Sequence, residues 1–114
     1  MYPCFSTTAH KLQSDSKVAF YSSSKQALKC ILEGWRQELR AMGRNNIRIG
    51  AISPGLVKTE AIEVFTQSPD LAEMIYSSTP HIQPDDVTNA VIQLMSVKPH
   101  VQIHDVIVRH VQEK

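Results

Sequence analysis

The sequence lacks several features that would identify a binding class directly. It has only four glycines in 114 residues, and none of them forms the glycine-rich turn that holds a dinucleotide pyrophosphate after a strand. Its two cysteines, Cys4 and Cys30, have no CxxC spacing, which argues against a disulfide framework. The five histidines are not paired at the spacing of a helical metal motif. We therefore expect no metal site.

Strong charge and long apolar runs are missing as well. The net charge is +1, and the basic residues are dispersed, which disfavours a nucleic-acid partner. No run reaches the roughly 18 consecutive apolar residues that span a bilayer. The first residues also lack the charged and apolar segments of a signal peptide. These absences predict a cytoplasmic protein with no membrane span and no nucleic-acid partner.

The chain begins with an irregular polar segment and continues with a long amphipathic pattern. Residues 1–17 are rich in Ser and Thr and show no apolar periodicity, so we interpret them as a lead-in. A helix is predicted over residues 19–42, and Gly43 is the expected helix stop. Apolar residues recur there at intervals of three and four: Ala27, Leu28, Ile31, Leu32, Trp35, Leu39 and Met42.

The remaining chain alternates between strand-like and helical patterns. The β-branched run 47–52 predicts a strand that leads into a turn at 53–55, and the run 101–108 predicts a final strand. Ser or Gln followed by Pro and Asp is typical of helix starts, and it predicts helices over 71–76 and 84–96. This order predicts an α/β unit with a parallel sheet. Two strands are few for such a sheet, so we expect the isolated chain to be marginally stable at best.

Tyr21 and Lys25 are the first candidates for chemistry. Residues four apart on a helix share a face, so the phenol and the ammonium would lie in one environment. An ammonium about 4 Å from a phenolate stabilises it by about 4 kcal/mol at an effective dielectric constant of about 20, which is enough for proton exchange near neutral pH. An amphipathic helix start, with a packed tyrosine and a solvated lysine, is the alternative for this pair.

The sequence resembles the short-chain dehydrogenase/reductase family. The resemblance covers residues 18–110, and within the family the chain is most similar to the ketosteroid and farnesol dehydrogenases. It is carried by Tyr21-Ser22-Ser23-Ser24-Lys25, by Glu33 to Leu39, by Ile47-Arg48, by Ser53 to Thr59, and by Gln83 to Val87 with the final strand.

The resemblance implies an α/β fold, namely the C-terminal part of a Rossmann-like doubly wound parallel sheet whose N-terminal nucleotide-binding half is missing. Residues 18–114 would form this half-domain, with a variable substrate lobe at 60–80. The implied function is an NADP-dependent oxidoreductase, with NAD as the alternative cofactor, that interconverts a lipophilic alcohol and its carbonyl compound. A mobile surface loop with one short helix is the alternative for the lobe.

The resemblance also implies roles for individual residues. Tyr21 would be the general acid/base, and Lys25 would stabilise its phenolate and bind the nicotinamide ribose. Pro54 and Gly55 would let the backbone pass close to the nicotinamide. The cofactor carboxamide or the adjacent phosphate would contact two further residues, Val57 and Thr59.

The segment before Tyr21 departs from the family pattern. Thr8 stands at the position of the family's catalytic serine, with Ser6 and Thr7 beside it, and an unrelated linker is the alternative for these residues. The family's catalytic asparagine has no counterpart in the chain. A truncated, non-catalytic form that serves as an interaction module is therefore the alternative function.

The family resemblance further implies a homodimer through helix 19–42. The apolar residues proposed for that interface are Leu32, Trp35 and Leu39, with an intramolecular core as the alternative. The sequence does not determine the substrate, the direction of hydride transfer or the choice between NAD and NADP.

Overall fold

The computed structural model describes residues 19–113. The irregular lead-in predicted for 1–17 and the candidate Thr8 therefore lie outside the described residues. The described part forms four helices and two strands in an α/β order: α1 Ala19–Ala41, β1 Ala51–Pro54, α2 Ala61–Thr66, α3 Pro69–Ser78, α4 Pro84–Met95 and β2 Asp105–Val108.

The two strands form a parallel pair, as predicted. Ala51 lies opposite Asp105, and Pro54 lies opposite Val108. An isolated parallel bridge between Val57 and Ile82 continues the pattern beyond β1. Since both strands run in the same direction, their carboxyl ends share one edge of the sheet, and we call this the carboxyl edge.

Both strands are shorter than predicted. Residues 47–50 precede the point where β2 begins to pair with β1, so they have no place in this ladder. The carbonyl of Ile49 accepts hydrogen bonds from side chains instead: Arg36 Nε donates to it at 3.0 Å and Gln102 Nε2 at 2.9 Å. Val101 N–H bonds the Lys98 carbonyl in a turn, which delays the start of β2.

Helix α1 packs one apolar face on the sheet. Leu32 is buried with Ile49 and Ala51, and Leu39 packs against this cluster. The helix ends at Gly43, as predicted, because this residue adopts a left-handed φ of +69°. The backbone N–H groups of Gly43 and Arg44 cap the carbonyls of Arg40 and Leu39 at 3.0 and 2.9 Å, which is a Schellman arrangement.

Two polar contacts orient α1 along the strands. Arg36 Nη2 donates to the His104 carbonyl at 3.0 Å, beside the start of β2. Lys29 Nζ lies 3.6 Å from Asp105 Oδ2, one residue further along β2. Moving seven residues toward the helix N-terminus advances about 10 Å. Helix α1 therefore runs antiparallel to the strands, and its first turn points toward the carboxyl edge.

Arg36 also fixes the ionisation of Glu33. Its Nη1 lies 2.9 Å from Glu33 Oε2, and Gln37 Nε2 donates to Glu33 Oε1 at 3.3 Å. The hydrogen bond from Arg36, followed by that from Gln37, lowers the pKa of Glu33 below its ordinary value of about 4.5. The carboxylate of Glu33 therefore stays ionised to a lower pH than an ordinary glutamate does.

The helix starts follow the predicted signals. Ser68 Oγ accepts from Leu71 N–H at 3.3 Å at the start of α3, and Pro69 occupies the first turn. Gln83 N–H donates to Asp86 Oδ2 at 2.8 Å at the start of α4. The short helix α2 was not predicted, because its apolar residues follow no clear period. Val64 and Phe65 are exposed in the structure.

Arg48 closes the other end of α4. Its Nη1 donates to the carbonyls of Val97, Lys98 and Val101 at 3.1, 3.3 and 3.2 Å. Its Nη2 donates to the Met95 carbonyl at 3.4 Å. The Met95 carbonyl ends α4, and the other three carbonyls belong to the loop that follows. The guanidinium thereby joins this loop to the C-terminal end of α4 and complements the negative end of the helix dipole.

Candidate active site

Tyr21 and Lys25 share one face of the first two turns of α1. The Nζ atom of Lys25 lies 5.4 Å from the centre of the Tyr21 ring, and Tyr21 is 46% exposed. Ser22 lies beside them but points inward, where its Oγ is buried and has no hydrogen-bond partner among the described residues. A phenol and an ammonium are therefore accessible together at the helix end nearest the carboxyl edge.

The segment after β1 forms the second part of the site. Pro54 is buried as the last residue of β1, and Gly55 N–H donates to the Val108 carbonyl at 2.8 Å. Lys58 N–H donates to the Ile82 carbonyl at 2.9 Å, and Ile82 N–H donates to the Leu56 carbonyl at 2.9 Å. These bonds hold residues 55–58 as an ordered backbone segment at the carboxyl edge.

The Glu113 side chain lies close to Gly55. A Cβ atom at this position would lie 2.6 Å from the Cδ of Glu113, with the carboxylate oxygens of the same residue against it. Leu56 N–H donates to Glu113 Oε2 at 3.4 Å. The carboxylate of Glu113 thus lies against the backbone of residues 55 and 56.

Tyr76 anchors Thr59, and the sequence analysis missed it. The Tyr76 side chain is 5% exposed, and its hydroxyl donates to the Thr59 carbonyl at 2.8 Å and accepts from Thr59 N–H at 3.2 Å. His81 packs edge-on against the ring at 5.4 Å, and Lys58 Nζ lies 5.8 Å from the ring centre. The sequence predicted a helix over 71–76, but nothing in it indicated that the Tyr76 hydroxyl bonds Thr59.

The region predicted as a substrate lobe contains two helices and an open cleft. The cleft has a volume of about 500 Å³ and lies between α2, α3 and the segment after β1. Lys58 Nζ lies 3.6 Å from Glu73 Oε2 at its wall. The residues that line the cleft are mostly polar: Lys58, Thr59, Glu60, Glu63, Pro69, Asp70, Ala72, Glu73 and Tyr76.

The structure thus brings the candidate residues together in two groups. One group is Tyr21 with Lys25 at the start of α1. The other is the backbone segment after β1, which contains Pro54, Gly55, Val57 and Thr59. Both groups lie toward the carboxyl edge, where ligands of open parallel sheets bind.

Within residues 19–113, the His, Cys, Asp and Glu side chains form no group of three or more that could hold a metal ion. Over the same residues, no helix combines the length and apolar character needed to cross a membrane.

Comparison with known proteins identifies the family. Residues 5–103 match the family model described as enoyl-(acyl carrier protein) reductase. Over 109 residues the chain is 38% identical to dehydrogenase/reductase SDR family member 11 of Bos taurus, covering 95% of this chain and 42% of the relative. It is 31% identical to farnesol dehydrogenase of Aedes aegypti over 109 residues, covering 96% of this chain and 41% of the relative.

A solved structure shows the same fold. The closed form of serine dehydrogenase complexed with NADP⁺ superposes with a TM-score of 0.80 at 27% identity, covering 94% of this chain and 42% of that one. The chain spans less than half the length of these relatives, and the matched part is their C-terminal region. The predicted fold, the C-terminal part of a Rossmann-like parallel sheet, is confirmed. The chain belongs to the short-chain dehydrogenase/reductase family.

Proposed function

We propose that this chain carries the proton-transfer residues of an NADP-dependent oxidoreductase that interconverts a lipophilic alcohol and its carbonyl compound. The observation that carries the proposal is the pairing of Tyr21 and Lys25 in a chain of a dehydrogenase family: Lys25 Nζ lies 5.4 Å from the centre of the Tyr21 ring. Similarity to a farnesol dehydrogenase supports the substrate class. Similarity to a serine dehydrogenase solved with NADP⁺ supports the cofactor.

In carbonyl reduction, the Tyr21 hydroxyl donates its proton to the carbonyl oxygen, and in alcohol oxidation its phenolate accepts the hydroxyl proton. Lys25 stabilises that phenolate through its positive charge, because the two groups share one face of α1. A bound nicotinamide supplies or accepts the hydride. Thr8, which stands where the family has a catalytic serine, is proposed as a hydrogen-bond donor to the same oxygen.

The segment after β1 fits the nicotinamide end of such a cofactor. Gly55 has no side chain, and backbone hydrogen bonds hold residues 55–58 in order at the carboxyl edge. We propose that Pro54, Gly55, Val57 and Thr59 line this end of the cofactor site. The four glycines of the chain supply no glycine-rich turn for the pyrophosphate, so a second segment must hold that part.

We also propose a homodimer through α1, but with other interface residues than the set Leu32, Trp35 and Leu39 expected from the sequence. Leu32 is buried in the intramolecular core, and Leu39 is half-buried against it. Leu28, Ile31 and Trp35 are 37%, 46% and 42% exposed on the outer side of the same apolar face of α1. We propose this face as the contact between two copies of the chain, and the cytoplasm as the site of action.

The test is complementation. The purified chain is mixed with the N-terminal part of the Bos taurus relative that precedes the matched region, and NADPH oxidation is followed with farnesal and a ketosteroid. We expect activity from the mixture, loss of nearly all turnover in Tyr21→Phe, and little change in Ser23→Ala, an exposed neighbour on α1. Equal turnover of Tyr21→Phe and the unmodified chain would contradict the catalytic assignment.

A non-catalytic interaction module is the second candidate function. The absence of a glycine-rich turn favours it, because the cofactor would then have no pyrophosphate site. A chain that binds no NADPH in any combination, yet forms a defined complex with a complete relative, would support this function over the first.

A further inference from the structure

A small pocket lies at the edge of the sheet where both strands begin, opposite the carboxyl edge, and we call it the arginine pocket. Its volume is about 120 Å³. A water molecule needs only about 10–15 Å³ of cavity volume, so the pocket has room for a polyatomic ion. The residues that line it come from the last turns of α1, the turn that follows, and the residues before each strand: Arg36, Leu39, Arg40, Arg44, Asn45, Ile47, Ile49 and Gln102.

Arg36 forms a fixed wall of this pocket. Its side chain is 9% exposed, and its Nη1 lies 2.9 Å from Glu33 Oε2, which compensates its charge. The other guanidinium nitrogens donate to main-chain carbonyls, Nε to that of Ile49 and Nη2 to that of His104, both at 3.0 Å. Arg36 is therefore committed to acceptors within the chain.

Arg40 and Arg44 line the same pocket without such compensation. Within residues 19–113, neither guanidinium takes part in a hydrogen bond or an ion pair. The lining, which belongs entirely to this described part of the chain, contains no Asp or Glu. Both arginines are exposed, so an ion can reach them from solvent. Two like charges at one hollow repel each other, and an anion between them would relieve this repulsion.

The end of α1 builds this arrangement. Gly43 has a left-handed φ of +69°, and Arg44 N–H donates to the Leu39 carbonyl at 2.9 Å. The chain therefore turns back on the helix, and Arg44 lines the pocket together with Arg40. This cap uses main-chain groups, so it leaves both guanidinium groups available to a ligand.

We propose that the arginine pocket binds a phosphate group through Arg40 and Arg44. A guanidinium presents its N–H donors in a planar fork that matches two oxygens of an oxyanion. One fork satisfies a carboxylate, whereas a phosphate monoester carries three acceptor oxygens and a charge of about −1.5 to −2, which suits two guanidinium groups. The pocket lies at the opposite edge of the sheet from Tyr21 and Lys25, so this site is independent of the proposed function.

The experiment titrates inorganic phosphate into the full chain, with chloride at equal ionic strength and pH as the reference. We expect the amide resonances of residues 44 and 45 to shift saturably in NMR spectra, which gives the Kd. By linkage, phosphate at ten times this Kd should raise the Tm by about 5 °C over chloride. A second titration with glycerol 3-phosphate distinguishes the free ion from the phosphate group of an organic molecule.

Two variants locate the site. Arg44→Gln should raise the Kd for phosphate at least about tenfold, because a charge-assisted hydrogen bond is lost. In chloride it should unfold at nearly the same temperature as the unmodified chain, which shows that it is folded. Lys98→Gln removes the same charge at an exposed position outside the pocket lining, and it should leave the Kd unchanged.

The outcomes decide the proposal directly. Binding of both phosphate compounds would identify the ligand as the phosphate group of an organic molecule, and binding of inorganic phosphate alone would identify it as the free ion; each supports the site. Equal Kd values for Arg44→Gln and Lys98→Gln would overturn it, because the response would then reflect overall charge. The same Tm in phosphate and chloride, or no saturable shift at residues 44 and 45, would also overturn it.

Discussion

The hydroxyl of Tyr76 closes a ring with the backbone of Thr59: it donates to the Thr59 carbonyl at 2.8 Å and accepts from the Thr59 N–H at 3.2 Å. One buried side chain of α3 thereby fixes the position of the segment that follows β1. This pair links α3, in the proposed substrate lobe, to the segment proposed for the nicotinamide.

Replacing Tyr76 with Phe should therefore destabilise the chain. The N–H and the carbonyl of Thr59 would both lose their partner, and an ordinary hydrogen bond contributes about 0.5–1.5 kcal/mol. Denaturation by urea measures the loss. Ser77→Ala is the matched control, because Ser77 lies next in α3 and its hydroxyl bonds only the Met74 carbonyl at an exposed position. A change below about 0.5 kcal/mol in Tyr76→Phe would contradict the role assigned to the ring.

Lys25→Met is predicted to lower turnover in the complemented enzyme. Stabilisation of the Tyr21 phenolate would be lost, and general acid/base catalysis contributes about 10²–10⁴-fold. The measurement is kcat for NADPH oxidation with farnesal. Lys29→Met serves as the control, since this lysine lies one turn further along α1 and faces Asp105 at 3.6 Å. The prediction fails if the two variants lose turnover equally.

Arg48→Ala should destabilise the chain by about 2 kcal/mol, because hydrogen bonds from a charged donor contribute about 1.5–3 kcal/mol. The Met95 carbonyl at the end of α4 would lose its donor, as would the carbonyls of Val97, Lys98 and Val101 in the loop that follows. Thermal unfolding followed by circular dichroism gives the change. Arg44→Ala removes an exposed guanidinium and should leave stability nearly unaltered; similar losses in both variants would refute the capping role.

Because the pKa of Glu33 is lowered, we expect part of the chain's stability to be lost at acid pH. A carboxyl group with a pKa lower in the folded than in the unfolded state contributes stability above its unfolded pKa and loses it as the pH falls through the folded pKa. For Glu33 this loss begins near pH 4.5 and continues below it. NMR titration of the side-chain carbon should give a pKa below the ordinary value, and Gln37→Ala should raise it only partly, because the bond from Arg36 stays. A titration at the ordinary value in the unmodified chain would count against the Arg36 contact.

The sequence predicted the element types well where one helix face or one cap decided them. The starts of α3 and α4 and the stop at Gly43 followed from local chemistry, since a capping side chain or a left-handed glycine lies within four residues of the boundary. The strand bounds were less accurate. Residues 47–50 have strand propensity, but their pairing depends on where β2 begins, more than fifty residues later.

Long-range contacts account for what sequence analysis missed at the site. Tyr76 and Glu113 reach the segment after β1 from positions 17 and 57 residues away from their partners. No periodicity links such positions. For α1, the sequence left a partner surface and an intramolecular core open for Leu32, Trp35 and Leu39, because helical periodicity does not say how much of one apolar face the sheet covers. The structure buries Leu32 and leaves Trp35 42% exposed.

This division of α1 leads to a prediction about assembly. Trp35 is 42% exposed beside Leu28 and Ile31, so a charge at this position would disrupt a dimer and leave the core intact. We expect the unmodified chain to sediment as a dimer and Trp35→Glu to sediment as a monomer with similar helix content. Val64→Glu is the matched control, because Val64 is 74% exposed on α2, away from this face. A monomeric unmodified chain, or dissociation by both variants, would argue against the face formed by Leu28, Ile31 and Trp35, since a specific interface responds only to changes within it.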